Sequence, residues 1–231
     1  MKFFTIVKEK SERIKEKNFQ EITDNIPLWK WTIDNLISEN NKIYINTDSK
    51  LLLDQIKKKT NIVGIERSQN HINWENKSYK SGSPVESMLK DFCENFIENK
   101  NEKVCLFHVT SPFITLETIQ KASSYLDQGF DSVQSVKKIK DFLFFLEGYN
   151  AKPINYDPNL VQRTQDLEPV YMSIGAFFIS RAKDIIKTGR RLPGRCFNFE
   201  LNSLEAIEID DYDQLSLARL IAKNIIKNNK I

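Results

Sequence analysis

Residues 7–19 read VKEKSERIKEKNF, and the apolar run FFTI stands directly before them. The apolar run predicts a short buried strand, whereas the stretch after it holds eight charged residues, one Ser, one Asn and no Gly. Two interpretations of the stretch are open. It is a solvated surface helix, for which the i,i+4 pair Glu9 and Arg13 is typical, or it is an anion-binding loop that lacks the usual glycines. The elements that follow along the chain bear on this choice.

Strands and helices alternate over the first 140 residues. Apolar or alternating runs predict strands at 3–7, 42–49, 61–67, 103–112 and 131–139. Helical spacing of apolar residues predicts helices at 27–40, 51–60, 83–99 and 115–129. The run at 103–112 is continuously apolar, as expected of a strand buried on both faces, and it contains His108. This order predicts a Rossmann-like, three-layer α/β/α fold with a mostly parallel mixed sheet.

The pattern changes near residue 140, where the chain becomes aromatic and irregular. We expect one domain over 1–231, in which about 137–170 form an inserted lid or a small extension and dimerisation arm. The chain then returns with a strand at 175–180. It ends in an amphipathic helix whose predicted apolar stripe is Leu217, Leu220, Ile221 and Ile225.

Composition excludes several classes of protein. The chain has 34 basic and 31 acidic residues and a formal net charge of +3, which does not favour a nucleic-acid partner. Its three cysteines stand far apart, as in a reducing compartment, and show no zinc-site spacing. The N-terminus has no signal-peptide pattern, and no apolar run approaches the roughly 18 residues of a membrane span. We expect a cytoplasmic protein that contacts no membrane.

Polar side chains follow several predicted strands, at the edge where ligands bind open α/β sheets. They are Lys8, Ser11, Arg13, Lys17 and Asn18 after the first strand, Thr47, Asp48 and Ser49 after the second, Thr110 and Ser111 after the fourth, and Glu208, Asp210, Asp211 and Asp213 late in the chain. Cations and hydroxyls suit a polyphosphate, and carboxylates suit Mg²⁺.

Each group also has a structural interpretation. The NTDS and TSP segments are typical of turns and helix starts. The acidic EIDDYD segment is equally typical of a cap on the last helix, where carboxylates complement the dipole. His108 inside an apolar strand is more typical of a core histidine than of a metal ligand.

Taken in order, the segments resemble the acylneuraminate cytidylyltransferase family, the CMP-sugar synthetases, over nearly the whole chain. The family's Ser-x-Arg-x-x-x-Lys-Asn spacing is met by Ser11, Arg13, Lys17 and Asn18. Further segments similar to family motifs are IPLWKWTIDNL, INTDS, HVTSPFI, SVQSV, RTQDLEPVYMSIGA and EIDDYDQLSLA. Each motif is weak alone, but their common order indicates the fold and nucleotidyl transfer.

The sequence departs from the family at informative places. Lys8 replaces an Arg, which keeps the charge but loses a two-pronged grip on phosphate. Glu9 and Lys10 replace two glycines that let the backbone approach phosphate closely, so we expect a wider loop with Glu9 turned to solvent. His108 replaces a Gln of the type that contacts the acceptor sugar, and Ile174 replaces an Asn.

The resemblance implies transfer of CMP from CTP to an acylneuraminate-like or other nonulosonate sugar acid, with release of pyrophosphate, by a homodimer in surface glycan biosynthesis. The implied catalytic residues are Lys8, Arg13, Lys17 and Asp210. The implied nucleotide-binding residues are Lys8, Ser11, Arg13, Lys17, Asn18, Asp48, Arg67, Thr110 and Ser111. The implied acceptor-binding residues are His108, Arg163, Gln165 and Tyr171, and the implied Mg²⁺ ligands are Glu208 and Asp210. Two alternatives stay open: a cytidylyltransferase with a different acceptor, and a degenerate nucleotide-binding homologue.

Overall fold

A computed structural model describes residues 1–75 and 83–228. Its strands are β1 (Lys2–Val7), β2 (Glu21–Thr23), β3 (Ile26–Pro27), β4 (Ile43–Thr47), β5 (Ile62–Glu66), β6 (Lys103–Phe107), β7 (Ser132–Ile139), β8 (Phe144–Glu147), β9 (Asn150–Pro153), β10 (Val170–Arg181) and β11 (Cys196–Glu200). Its helices are α1 (Leu28–Leu36), α2 (Lys50–Ile56), α3 (Gln69–Glu75), α4 (Pro84–Phe96), α5 (Leu116–Ser123), α6 (Ala182–Thr188) and α7 (Tyr212–Asn228).

Seven strands form the central sheet, in the order β11-β7-β10-β6-β1-β4-β5. The pairs β1–β4, β1–β6, β4–β5 and β7–β11 are parallel, while β10 runs antiparallel to both β6 and β7. Within the described residues the sheet is therefore mixed and mostly parallel, as predicted. The carboxyl ends of β1, β4, β5 and β6 lie at one edge, and β10 enters the sheet from that edge.

Helices cover both faces of the sheet because successive strand residues point to opposite sides. Ile43 and Ile45 of β4 pack with α1, α2 and α5, whereas Tyr44 packs with α4 and α6. Thr115 caps α5 by accepting a hydrogen bond from the Thr118 N–H, and the α5 segment stops at Gly129 (φ 88°). The three-layer α/β/α architecture predicted from the alternating pattern is confirmed.

The segment between β7 and β10 leaves the central sheet. It carries the separate hairpin β8–β9, in which Phe145 and Leu146 are 63% and 69% exposed. Strand β7 ends at Ile139, and strand β10 begins at Val170. The predicted strand at 175–180 is therefore only the second half of β10. The role of this segment as an arm or lid stays a prediction.

Helix α7 packs beside the sheet rather than on its main faces. Leu215, Ala218 and Ala222 are buried in a third apolar cluster, together with residues of α1 and of the segment after β1. Leu217 and Leu220 are 48% and 64% exposed, so half of the predicted stripe is wrong. Among the described residues no helix combines the length and apolar character that a membrane crossing requires.

Candidate active site

The segment after β1 is a loop that closes on itself. Asn18 Nδ2 donates a hydrogen bond to the Lys8 carbonyl, 2.9 Å away, which joins the two ends of the loop. Ile14 is fully buried in the third cluster and anchors the middle of the loop. Glu16 adopts a left-handed conformation (φ 51°) before the 3₁₀ turn Lys17–Phe19. No α-helix forms between β1 and this turn, so the surface-helix interpretation is wrong and the stretch is a loop, whose binding of an anion stays a prediction.

The loop is tied to the turn that follows β4. The Glu9 N–H donates to Asp48 Oδ1 at 2.9 Å, and the Thr47 hydroxyl donates to the Val7 carbonyl at 2.6 Å. Glu9 is exposed, as predicted, although its carboxylate also accepts a 3.5 Å hydrogen bond from the Ser49 hydroxyl. Glu9, at a position where the family has glycine, therefore donates its N–H to the neighbouring Asp48 carboxylate.

Two cations of this loop meet a carboxylate from the other end of the chain. Arg13 Nη2 lies 3.0 Å and Lys17 Nζ 3.1 Å from Asp210 Oδ1. Lys17 also donates to the Ile209 carbonyl at 2.8 Å, and its side chain is 14% exposed, whereas that of Arg13 is 68% exposed. Lys17 is thus held in place, while Arg13 can leave Asp210 at little cost. The structure brings these three predicted residues together.

Glu208 lies beside Asp210 and is linked to β10. Burial first, and then the Asp210 carboxylate, raise the pKa of Glu208, while a hydrogen bond from the Gly175 N–H opposes this. Ile209 is fully buried between them, and Glu208 lies within electrostatic reach of Asp210, Lys17 and Arg13. Residues 207–210 form no sheet hydrogen-bond ladder. Their position is set instead by the Ile209 N–H, which donates to the Thr110 carbonyl.

His108 stands just past the end of β6 rather than inside the strand. Its N–H donates to the Ala176 carbonyl at 3.1 Å, and its ring lies 6.0 Å from that of Phe178. Burial first, and then the positive charges of Arg191 and Lys17, lower the pKa of His108 to about 4. The imidazole is therefore neutral near pH 7 and offers the site a hydrogen-bonding group without charge.

The TSP segment after His108 is fixed by helix α1. Trp31 Nε1 donates to the Pro112 carbonyl at 2.9 Å, and Thr110 accepts the Ile209 N–H through its own carbonyl at 2.8 Å. Ser111 is fully buried, and its hydroxyl has no hydrogen-bond partner within the described residues. The backbone of this segment therefore positions the acidic residues. Nucleotide contacts by Thr110 and Ser111 stay predictions.

Arg67 lies at the same edge, immediately after β5. It is 4% exposed, its N–H donates to the Thr47 carbonyl at 2.9 Å, and its Nε lies 3.4 Å from Met88 Sδ. Arg67 therefore adjoins the β4 turn that contacts the first loop. Its predicted nucleotide contact is not tested by these bonds and stays a prediction.

The predicted acceptor residues other than His108 lie in the segment before and within β10. Arg163 donates to both carboxylate oxygens of Asp166, at 2.7 and 3.0 Å, and its side chain is 70% exposed. Gln165 is exposed, and its carbonyl accepts a bond from Lys140. Tyr171 is 47% exposed on β10. These contacts do not join the three residues to the Asp210 cluster, and their acceptor roles stay predictions.

One cation near the cluster was missed from the sequence. The guanidinium of Arg191 lies over the Phe178 ring, 4.2 Å from its centroid, within electrostatic reach of His108. Arg191 comes from the loop after α6, where TGRRLPGR shows no periodic pattern or motif. Its position depends on packing against Phe178 and Ser180 of β10.

The apolar cavities lie elsewhere. A cavity of about 450 Å³ is lined by Trp31, Phe113, Leu204, Ile225 and neighbouring residues. A smaller cavity of about 100 Å³ is lined by Asn46, His71, Met88 and others near α4. Neither cavity includes Arg13, Lys17, Glu208 or Asp210. The side chains of Arg13 and Asp210 are 68% and 34% exposed, so this part of the charged cluster is open to solvent and suits a charged ligand more than an apolar one.

The donor set fits Mg²⁺ bound together with a phosphate ligand. Glu208 and Asp210 supply two carboxylates, and within the described residues no three His, Cys, Asp or Glu side chains form a complete metal site. Mg²⁺ commonly binds through one or two carboxylates plus substrate phosphates and water. The pair is thus suited to hold the ion only when a phosphate-bearing ligand completes its coordination.

Comparison with known proteins agrees with this fold. The family model described as Cytidylyltransferase matches residues 8–185. An N-acylneuraminate cytidylyltransferase of Streptococcus agalactiae serotype V is 28% identical over 132 residues, which are 54% of this chain and 31% of that protein. The match spans about a third of the length of this curated relative.

Solved structures of two kinds share the fold. The CTP complex of CMP:2-keto-3-deoxy-manno-octonic acid synthetase has a TM-score of 0.63 and 11% identity, covering 96% of this chain and 98% of that one. The 4-diphosphocytidyl-2C-methyl-D-erythritol synthase of Anaerococcus prevotii has a TM-score of 0.64 and 13% identity, covering 96% of each chain. The family match extends over most of the chain, and the chain therefore belongs to the cytidylyltransferase family.

Proposed function

We propose that this protein transfers CMP from CTP to the hydroxyl of a sugar acid and releases pyrophosphate. The observation that carries the proposal is the meeting of Arg13 and Lys17 with Asp210, beside Glu208, at the carboxyl edge of the sheet. The named relative supports the sugar-acid class, because its acceptor is an acylneuraminate. The three free cysteines agree with a reducing compartment, and the proposal places the activity in the cytoplasm.

In this mechanism the acceptor oxygen attacks the α-phosphorus of CTP in line. A new oxygen–phosphorus bond forms as the hydroxyl proton passes to solvent, the bond from the α-phosphorus to the bridging oxygen breaks, and the electron pair leaves with pyrophosphate. Lys17, held by the Ile209 carbonyl, presents a fixed positive charge to the triphosphate. Arg13 is exposed enough to turn from Asp210 to a phosphate, which frees the carboxylate.

Glu208 and Asp210 would hold Mg²⁺ at the α-phosphate, where the ion supplies Lewis-acid stabilisation of the developing charge. The Gly175 N–H keeps the Glu208 carboxylate oriented. A bound cation would offset the burial and the repulsion by Asp210 that raise the pKa of Glu208.

The test measures pyrophosphate release from CTP and Mg²⁺ with a panel of acceptors. The panel holds N-acetylneuraminate, 2-keto-3-deoxy-manno-octonate and 2-C-methylerythritol 4-phosphate. We expect turnover with a sugar acid. Turnover with 2-C-methylerythritol 4-phosphate alone would support nucleotidyl transfer but would show that the acceptor is not a sugar acid. The absence of turnover with every acceptor would contradict the proposal.

A second candidate is a nucleotide-binding homologue that does not transfer CMP. It is favoured by the first loop, where the Glu9 N–H is taken by Asp48 instead of being offered to a phosphate. CTP binding in a calorimeter without turnover on any acceptor would support this candidate. Stoichiometric formation of a CMP-sugar would exclude it.

We also propose that the segment 137–170 joins two copies of the chain. Phe145, Leu146 and Tyr149 of the hairpin are 63%, 69% and 105% exposed, an apolar surface that a second copy would cover. Light scattering after size exclusion should give a dimer, and the double substitution Phe145→Ser, Leu146→Ser should give a monomer. A wild-type monomer at micromolar concentration would contradict this proposal.

A further inference from the structure

The loop after α6 places Arg191 at a fixed point beside β10. Its N–H donates to Glu86 Oε1 at 3.3 Å, and its carbonyl accepts a hydrogen bond from the Ser180 hydroxyl at 3.0 Å. The guanidinium then lies over the ring of Phe178, which is only 4% exposed. The backbone and the stacking contact together orient a positive charge on the α4 side of the sheet.

Within the part of the chain that the structure describes, the N–H groups of the Arg191 guanidinium meet no protein acceptor. Over residues 1–75 and 83–228 it takes part in no ion pair and donates no hydrogen bond to protein, although Arg163 and Arg181 pair with Asp166 and Asp127. A guanidinium presents five N–H donors in a rigid fork that matches a carboxylate or phosphate. Arg191 is therefore oriented for an anion that the described protein does not supply.

His108 and Gly175 connect Arg191 to the carboxylate pair. A Cβ atom at Gly175 would lie 2.9 Å from His108 Nδ1 and 3.1 Å from Glu208 Oε1, so both side chains border the same stretch of backbone. The His108 ring in turn contacts Phe178, on which Arg191 stacks. Neutral His108 adds no second cation there.

The order of strands separates this cation from the first loop. The loop with Arg13 and Lys17 follows β1, whereas Phe178 belongs to β10, two strands away, a distance of about 10 Å within the sheet. The carboxylate pair adjoins both regions, since Asp210 contacts Lys17 of the loop and Glu208 lies close to Gly175 of β10. A molecule on the β10 side of the carboxylates would thus meet Arg191 and His108, while a triphosphate meets the loop.

We propose that Arg191 binds the anionic group of the acceptor, a carboxylate or a phosphate, on the β10 side of the Glu208–Asp210 pair. This inference rests on the proposed transfer reaction and deepens it by assigning the acceptor's charge to a residue. Arg163 lies before β10, and its contacts with Asp166 do not join it to the Asp210 cluster.

The experiment compares Arg191→Gln, Arg191→Lys and the control Arg190→Gln. Arg190 is the exposed neighbour, so the control changes the same charge in the same loop. Each protein is first titrated in a calorimeter with Mg²⁺ and α,β-methylene CTP, which cannot react. The complex is then titrated with N-acetylneuraminate, 2-keto-3-deoxy-manno-octonate or 2-C-methylerythritol 4-phosphate, and in parallel with the methyl esters of the two acids or with 2-C-methylerythritol.

We expect one anionic acceptor to bind, and its Kd to rise ~30-fold or more in Arg191→Gln, since charge-assisted hydrogen bonds are lost. The Kd of Arg191→Lys for this acceptor should lie between those of the wild type and Arg191→Gln, and the Kd of Arg190→Gln should match that of the wild type. The Kd of the CTP analogue should stay within twofold of the wild-type value in every variant. The matching ester or alcohol should bind the wild type and Arg191→Gln equally. Binding of one of the two sugar acids would identify the anionic group as a carboxylate, and binding of 2-C-methylerythritol 4-phosphate would identify it as a phosphate.

The inference would be overturned by unchanged acid binding in Arg191→Gln, by an equal loss of binding of the neutral analogue, or by weaker binding of the CTP analogue instead. A wild-type complex that binds the CTP analogue but none of the three anions would also overturn it, while leaving the nucleotide site in place. Failure of the wild type to bind the CTP analogue would instead contradict the proposed function. Circular dichroism and Tm establish that each variant is folded.

Discussion

Replacing Lys17 by Met removes a largely buried cation while keeping the length of its side chain. In the structure Lys17 Nζ donates to the Ile209 carbonyl at 2.8 Å and to Asp210 Oδ1 at 3.1 Å. Hydrogen bonds to charged groups contribute about 1.5–3 kcal/mol each, but Asp210 is 34% exposed and keeps Arg13 as a partner. We therefore expect the free energy of unfolding to fall by about 1–2 kcal/mol, which lowers Tm by about 3–6 °C.

The effect on catalysis should be larger than the effect on stability. Loss of one preorganised positive group at a developing charge costs about 2.7–4 kcal/mol, a factor of about 10²–10³ in kcat. The assay is pyrophosphate release from CTP in the presence of the sugar-acid acceptor and saturating Mg²⁺, and Tm is measured on the same samples. Lys15→Met is the matched control, because Lys15 is exposed in the same loop. A kcat within threefold of the wild type in Lys17→Met, or an equal loss in Lys15→Met, would refute the assigned role.

Three further outcomes are expected. Asp210→Asn should lose Mg²⁺-dependent turnover by about 10²-fold or more with the fold intact, whereas Asp211→Asn should keep it; a fully active Asp210→Asn would remove the metal role. Gly175→Ala should cost about 1–3 kcal/mol of stability and much of the activity, because its Cβ would come within 2.9 Å of His108 Nδ1 and 3.1 Å of Glu208 Oε1; an unchanged Tm would show that the site adapts. The pKa of His108, about 4, lies below its unfolded value, so its contribution to stability is complete above about pH 6.5 and is lost as pH falls through 4, by at most about 3 kcal/mol. Urea titrations should show that the free energy of unfolding differs less between pH 7 and pH 5 in His108→Gln than in the wild type. Equal differences in the two proteins would contradict this.

The parallel part of the sheet was readable from the sequence because its strands are short apolar runs separated by amphipathic helices. β11 was missed because CFNFE is only five residues long and half-exposed. The stripe of α7 was misplaced because this helix packs on residues from the first loop and α1, not on a face of the sheet. Leu217 and Leu220 point away from that contact, which no local pattern reveals.

The site residues that belong to ordered sequence motifs could be predicted. The site residues that only packing brings together could not. Arg13, Lys17 and Asp210 were predicted, but their common contact joins residues nearly 200 positions apart. The charged stretch after β1 resembles a helix locally, and only burial of Ile14 and the Asn18–Lys8 bond make it a loop. Arg191 carried no signal because its place depends on stacking against β10.

Hydrogen exchange with and without CTP and Mg²⁺ tests the central claim most directly, since it locates the nucleotide without requiring an acceptor. The account predicts slower exchange of the backbone amides at 8–18 and at 207–211, lost in Asp210→Asn. It predicts no protection around the apolar cavity lined by Trp31, Phe113 and Ile225. Protection confined to that cavity, or CTP binding that leaves 8–18 unchanged, would contradict the assignment of the first loop as the nucleotide site.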